Sequence, residues 1–326
     1  MSTTQGEANW NHPSRFAIGI QGKRSRIHKL FQSVAEVEVI SKLVESGYST
    51  LDTADSYGFR NEIIGLYLAH AKRENVRIIS KVFFPFPNQV QGGKLSKVNI
   101  SNSINYSLKI LRTSHIDVLL AHRFDAETNL IETISAFDSE IEKGRIRGWG
   151  ISEWPLNAIQ DAIDVCERNN LAKPILNQVQ GSFLWRVSNQ SILPFCKSEG
   201  ISAMAWSPLA QGIMAGSYRK VGEYPSKSRM NVNKTPFLSH FENQELFDKI
   251  HNFSVTNDLS TLQLISISYY WLINIVGFDS VVISAKSNQI SESLPDIDRL
   301  AQELSLITES YAVSGDKWVG KDSPHD

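Results

Sequence analysis

Eight short apolar runs, separated by longer amphipathic stretches, set the strongest limit on how this chain of 326 residues can fold. The runs cover residues 16–20, 49–52, 76–82, 116–122, 146–152, 175–178, 201–206 and 280–284. Helix-period segments lie between them, among them 34–46, 61–71, 97–111, 131–143 and 155–168. In 97–111 the apolar residues Val98, Ile100, Ile104, Leu108 and Leu111 recur at spacings close to the helical period. Alternating strands and helices imply parallel strands joined by right-handed crossovers. Each run is too short and too apolar for a half-exposed strand, so both faces are expected to be covered. A closed (β/α)8 TIM barrel fits eight such units better than an open sheet. One barrel domain over 1–326 is expected, with its core at 16–295, a long loop after strand seven and a C-terminal extension.

Composition narrows the partners. A hydrophobic share of 41% supports a sizeable core, and a net charge of −1 argues against nucleic acid or an anionic membrane as the main partner. The most apolar stretch, 265–276, is broken by Ser266, Ser268 and Asn274, so no membrane span is expected. The first ten residues, MSTTQGEANW, do not read as a secretory signal, and Cys166 and Cys196 sit in apolar helical surroundings. Buried free thiols in a cytoplasmic protein, monomeric or homo-oligomeric, are the expectation. The one long irregular stretch, 210–241, carries Arg219, Lys220, Lys227, Arg229 and Lys234. It is expected either to cover an anionic ligand or to be a solvated excursion.

In a barrel of this kind chemistry sits where strands end. The second strand ends in LDTADSYG with Asp52 and Tyr57, the third in IISKV with Lys81, and the fourth in VLLAHRFD with His122, Arg123 and Asp125. The fifth supplies Ser152 and Glu153, the sixth Asn177 and Gln178, and the seventh Trp206 and Ser207. Singly these residues read as structure: Asp52 as a cap or turn acid, Tyr57 as a half-buried aromatic, His122 as a satisfied core histidine. Lys81 at the end of an apolar strand requires a nearby carboxylate. Four such groups on three consecutive strand ends are hard to explain as packing.

The ordered set LDTADSYG, NEIIG, IISKV, IDVLLAHRFD, EKGRIRGWGISEW, NQVQGSFLWR, AWSPLAQGIMAG and VVISAKS resembles the aldo/keto reductase superfamily, closest in style to its potassium channel β-subunit-like and related bacterial branches. The resemblance implies carbonyl reduction on a TIM barrel with NADP(H), NAD(H) being the alternative, and a tetrad matching Asp52, Tyr57, Lys81 and His122. It assigns cofactor contacts to Ser152, Gln178, Trp206, Ser207, Pro208, Leu209, Gln211, Gly212, Arg229, Ser284, Lys286, Gln289 and Glu292. It departs from the common pattern at Glu153, where many members carry Asn, and at Ser217, where close relatives carry a lysine. Arg219 or Arg229 is then the candidate cation for the pyrophosphate.

The tetrad's chemistry follows from its side chains. A phenol is too weak an acid near neutral pH unless a neighbouring ammonium eases loss of its proton. Lys81 would do this for Tyr57, Asp52 would hold Lys81, and His122 would polarise the carbonyl oxygen. Trp206 would stack on the nicotinamide, with Ser152 and Gln178 on its carboxamide. The substrate wall is expected from Phe83, Phe84, Phe86, Arg123 and Phe124, with Trp154 and Trp185 as further candidates. A small aldehyde or ketone, sugar-derived ones included, is the expected substrate. No Gly-x-Gly-x-x-Gly follows a strand, which counts against a doubly wound dehydrogenase. Two other readings stand: a cofactor-binding regulatory subunit of the channel β-subunit type, and a metal-dependent barrel. The second would need clustered ligands that only His122 and Asp125 begin to supply, so no metal is expected.

Overall fold

The structure, a computed structural model, describes residues 12–20, 29–87, 89, 93–226, 228–232, 239–284 and 294–315. Eight strands pair in sequence order, all parallel: β1 (Phe16–Gly19), β2 (Thr50–Asp52), β3 (Arg77–Val82), β4 (Ile116–Ala121), β5 (Ile146–Ser152), β6 (Leu176–Gln180), β7 (Ser202–Trp206) and β8 (Ser280–Ser284). Pairing of Phe16 with Val281 and of Ile18 with Ile283 joins β8 back to β1 and closes the barrel. The expected (β/α)8 TIM barrel is the observed fold.

Helices α1 (Lys29–Glu45), α2 (Phe59–Leu68), α3 (Lys97–Leu111), α4 (Leu130–Glu142), α5 (Leu156–Asn169) and α6 (Ile192–Ser198) follow the first six strands. Local chemistry sets their ends. Ser96 caps α3 by accepting from the Asn99 amide, and Asn129 caps α4 by accepting from that of Ile131. Arg112 and Asn170 close α3 and α5 in the left-handed conformation. Cys166 in α5 and Cys196 in α6 are buried free thiols, as expected, and burial pushes Cys166 up to about 11.

Two expectations need correction. Strand β6 runs on to Gln180 rather than ending at 178, because Gln178 and Gln180 pair with Met204 and Trp206 of β7, and ladder pairing outweighs their polarity. Helix α1 starts at Lys29, not at 34. The stretch after β7 is also less irregular than its composition implied. It holds a 3-10 segment at Ala210–Ala215 and the short helix α7 (Arg229–Val232), and it buries Tyr218 and Met230. Tyr218 packs on Phe247 of α8 (Gln244–Thr256), which α9 (Thr261–Tyr270) follows. Past β8, α10 (Ile297–Glu309) lies against the barrel, where Arg186 donates to Ser305 O at 2.7 Å and Thr308 Oγ1 at 3.1 Å.

The core has two parts, and the smaller one positions the site. Ala17, Ile79, Leu120, Leu176 and Met204 fill the barrel interior, with Val118 and Val282 against them. Strand side chains alternate between faces, so the residue two further along points the same way. That residue is Lys81 after Ile79, His122 after Leu120, Gln178 after Leu176 and Trp206 after Met204. The polar groups at the barrel mouth are thus the next inward layer above a dry, packed one.

Candidate active site

Lys81 is 1% exposed, and its ammonium group donates to both oxygens of Asp52, at 2.8 and 2.7 Å, and to Thr53 O at 2.8 Å. These three bonds use its three N–H groups. Gln178 donates to the same Asp52 Oδ1 at 2.8 Å and to Met204 Sδ at 3.3 Å. A pair this deep is costly to desolvate and stands only because its geometry is so fully satisfied.

Tyr57 closes a 3-10 turn, Asp55–Tyr57, which follows β2 and is held from below. Asn61 donates to Ala54 O and accepts from Thr53 Oγ1, both at 2.7 Å, and both side chains are buried. The Tyr57 ring lies edge-on to His122 with centroids 6.1 Å apart, and Lys81 Nζ lies 5.5 Å from the Tyr57 ring centre. Burial pushes the Tyr57 phenol above its ordinary value; Lys81 opposes this, and Asp52 partly cancels Lys81. Burial lowers His122 well below the ordinary histidine range, and the charges of Lys81 and Arg123 add to it. Its imidazole is therefore neutral, with Nδ1 buried and lacking a hydrogen-bond partner among the described residues.

Asp55, three residues from Asp52, plays a structural part. It accepts from Ser103 Oγ and from the Ser56 amide, both at 2.6 Å, which ties the turn to α3. Asp125 likewise accepts from Leu95 N at 2.9 Å, Glu127 N at 3.0 Å and Thr128 Oγ1 at 2.6 Å, so it orders the loop after β4.

Of the expected substrate wall, the structure brings some members to His122 and removes others. Phe84 packs edge-on to His122 at 5.1 Å, and Phe83 packs edge-on to Phe84 at the same separation. Arg123 donates to His122 O at 2.7 Å with its guanidinium 5.7 Å from the Phe84 ring centre. Phe124 is half-buried and meets Trp154 edge-on. Trp154 and Trp185 are buried, 0% and 8% exposed. Phe86 turns away to stack on Tyr106 of α3 at 4.5 Å. No spacing in the sequence distinguishes Phe84 from Phe83 and Phe86.

The residues expected to hold a cofactor fall into four groups. Ser152 and Trp206 end β5 and β7, whereas Gln178 lies inside β6, two residues before its end; Ser152 and Gln178 are buried. Ser207, Pro208, Leu209, Gln211 and Gly212 form the turn that follows, where Gln211 Nε2 donates to Ser207 Oγ at 2.9 Å. Arg229 and Ser284 are exposed, and Arg219 contacts His251 of α8. Lys286, Gln289, Glu292, Lys227 and Lys234 lie outside the described residues. Backbone strain supports a ligand at this turn. Glu153 and Ser207, directly after β5 and β7, and Ala210 and Gln211, further along the loop after β7, have positive φ values of 57°, 56°, 45° and 60°. Non-glycine residues held this way cluster at ligand clamps. Within the turn the Ala210 and Gly212 amides donate to Ser207 O and Leu209 O, so a dinucleotide would be held by the remaining polar groups of this strained segment, the Ser207 hydroxyl among them.

The fold and this cluster define a closed parallel (β/α)8 barrel with a buried lysine–carboxylate pair beside a tyrosine and a histidine at its mouth. The chain belongs to the aldo/keto reductase family, whose model matches residues 25–299. It is similar to a protein of Arabidopsis thaliana named "Probable voltage-gated potassium channel subunit beta", with 31% identity over 78% of this chain and 79% of that one. A protein of the same name from Oryza sativa subsp. japonica shares 30% identity over 78% of this chain and 79% of its own length.

Proposed function

We propose that this protein reduces an aldehyde or ketone to an alcohol, with NADP(H) as the hydride carrier. The observation that carries the reading is the buried Lys81–Asp52 pair set beside Tyr57 and the neutral His122 on one inward layer. A fully buried lysine with a perturbed tyrosine and histidine around it is what a proton-transfer site needs and a packed core avoids.

The nicotinamide, when bound, supplies the hydride, and the chain supplies everything else. Tyr57, kept protonated by burial, is the general acid for the carbonyl oxygen. The Lys81 ammonium makes the phenolate left behind less unfavourable, and Asp52 and Thr53 O keep Lys81 oriented. Neutral His122 donates an N–H to the same oxygen without competing for the proton. Gln178 commits its N–H to Asp52, which leaves its amide oxygen for the carboxamide, with Ser152 beside it. Trp206 supplies the stacking face, and the strained turn Ser207–Gly212 supplies the pyrophosphate cradle, with Arg229 as its nearby cation. The preference for NADP(H) over NAD(H) follows from Lys286 through the family resemblance. A cytoplasmic site of action accords with the two buried free thiols.

Mixing the protein with NADPH and a panel of sugar, aliphatic and aromatic carbonyls, followed at the nicotinamide absorbance, tests the reading. Turnover of at least one class is expected. The names of the two plant relatives favour a second reading, a cofactor-binding regulatory subunit. NADPH binding with no turnover across the whole panel would select it.

A further inference from the structure

Glu153 takes no part in proton transfer, yet it is among the most constrained groups at the barrel mouth. It is 5% exposed and follows β5 in the left-handed conformation, at a φ of 57°. Such a backbone is disfavoured for a side-chain-bearing residue, so something in the fold must hold it. What holds it is its carboxylate. Oε1 accepts from the indole Nε1 of Trp206 at 2.6 Å and from the backbone amide of Gln180. One side chain thereby ties together the ends of β5, β6 and β7.

We propose that Glu153 is a positioning residue that clamps the indole of Trp206 and fixes the face on which the nicotinamide stacks, and that it does not touch the carboxamide itself. This rests on the reading of Trp206 as the nicotinamide's stacking partner. An indole anchored by its N–H cannot turn about its side-chain bonds without breaking a charge-assisted hydrogen bond. Glu153 thus supports a ligand contact instead of making one. Ser152 and Gln178 remain as the carboxamide's contacts.

The indole N–H of Trp206 reports the clamp directly in the protein without cofactor. Of the seven tryptophans, Trp206 is the one whose indole resonance disappears in Trp206→Phe. In Glu153→Ala that N–H should exchange with solvent about tenfold faster, and NADPH affinity should fall about tenfold. Glu153→Gln keeps an acceptor oxygen, so both quantities should stay within about threefold of wild type, while the resonance moves upfield as the acceptor loses its charge. In a Trp206→Phe background, Glu153→Ala should change NADPH affinity by less than about twofold. An unmoved Trp206 resonance in the variants, or an undiminished loss of affinity in the Trp206→Phe background, overturns the proposal. If the wild-type protein fails to bind NADPH, the cofactor reading is what fails, and the exchange and chemical-shift results still decide the clamp.

Discussion

Asp52 and Asp55 lie three residues apart in one turn and end up in opposite electrostatic settings. Asp52 has the Lys81 ammonium on both oxygens, whereas Asp55 is buried with only a hydroxyl and an amide as donors. Burial outweighs those bonds and raises Asp55 from 3.8 to about 7. A carboxyl whose folded value exceeds its unfolded one favours the fold most below the unfolded value. That contribution is lost as pH rises through about 7. Between pH 5 and pH 8 the loss amounts to about 2–3 kcal/mol. In Asp55→Asn it disappears, so urea unfolding should show the variant gaining on wild type by that amount across the same interval. His122, with its lowered value, acts in the opposite sense and costs stability as pH falls below the ordinary histidine range. It is present in both proteins and cancels from the comparison. A stability difference independent of pH would show that Asp55 ionises normally.

Helix α2 and helix α3 meet at Gly65. A Cβ there would lie 2.2 Å from Ile110 O, a backbone atom that cannot swing aside. Two effects compete in Gly65→Ala: alanine favours the helix by about 0.5–1 kcal/mol, and the clash forces the helices apart at about 1–3 kcal/mol. The contact should win, and thermal unfolding should show a lower midpoint; an unchanged or raised one would mean that the interface yields. At this scale the sequence was widely legible. Strands β5 and β8 and helix α3 fall on the residues that the apolar patterns mark, because burial on both faces leaves a strand little polar character. The end of β6 escaped because its glutamines are held by pairing with β7, a contact between segments that a local pattern does not encode. The packing within 210–241 escaped similarly, since Tyr218 finds Phe247 only through the fold.

Across the whole molecule, the barrel places one polar layer above one apolar layer, and Asp52, Lys81, Tyr57 and His122 come together at its mouth. Asp52, Lys81 and His122 could be picked out because strand ends face the same mouth, and Tyr57 because its turn follows one of them. The part played by Glu153 was not legible, for it depends on a left-handed backbone and on the approach of Trp206 from another strand. Helix α10 is held by its buried Leu300, Ala301 and Leu304, by the backbone bond from Val313 N to Leu184 O just after it, and by Arg186. Arg186 joins α10 to the barrel through Ser305 and Thr308 and lies 5.2 Å from the ring centre of Trp271. Arg186→Ala should lower hydrogen-exchange protection in α10 by about 1.5–3 kcal/mol and leave β3 and β4 unchanged. Uniform loss of protection would instead make Arg186 part of the global core.

The reductase reading is tested most directly by Tyr57→Phe, assayed in parallel for NADPH affinity and for turnover of whichever carbonyl the wild-type protein reduces. The substitution removes one hydroxyl and keeps the ring that meets His122. NADPH affinity should stay within about twofold of wild type, while turnover falls by about 10²–10⁴-fold. Turnover retained at the wild-type rate would contradict Tyr57 as the proton donor, and with it the account of why Lys81 and Asp52 are buried beneath it.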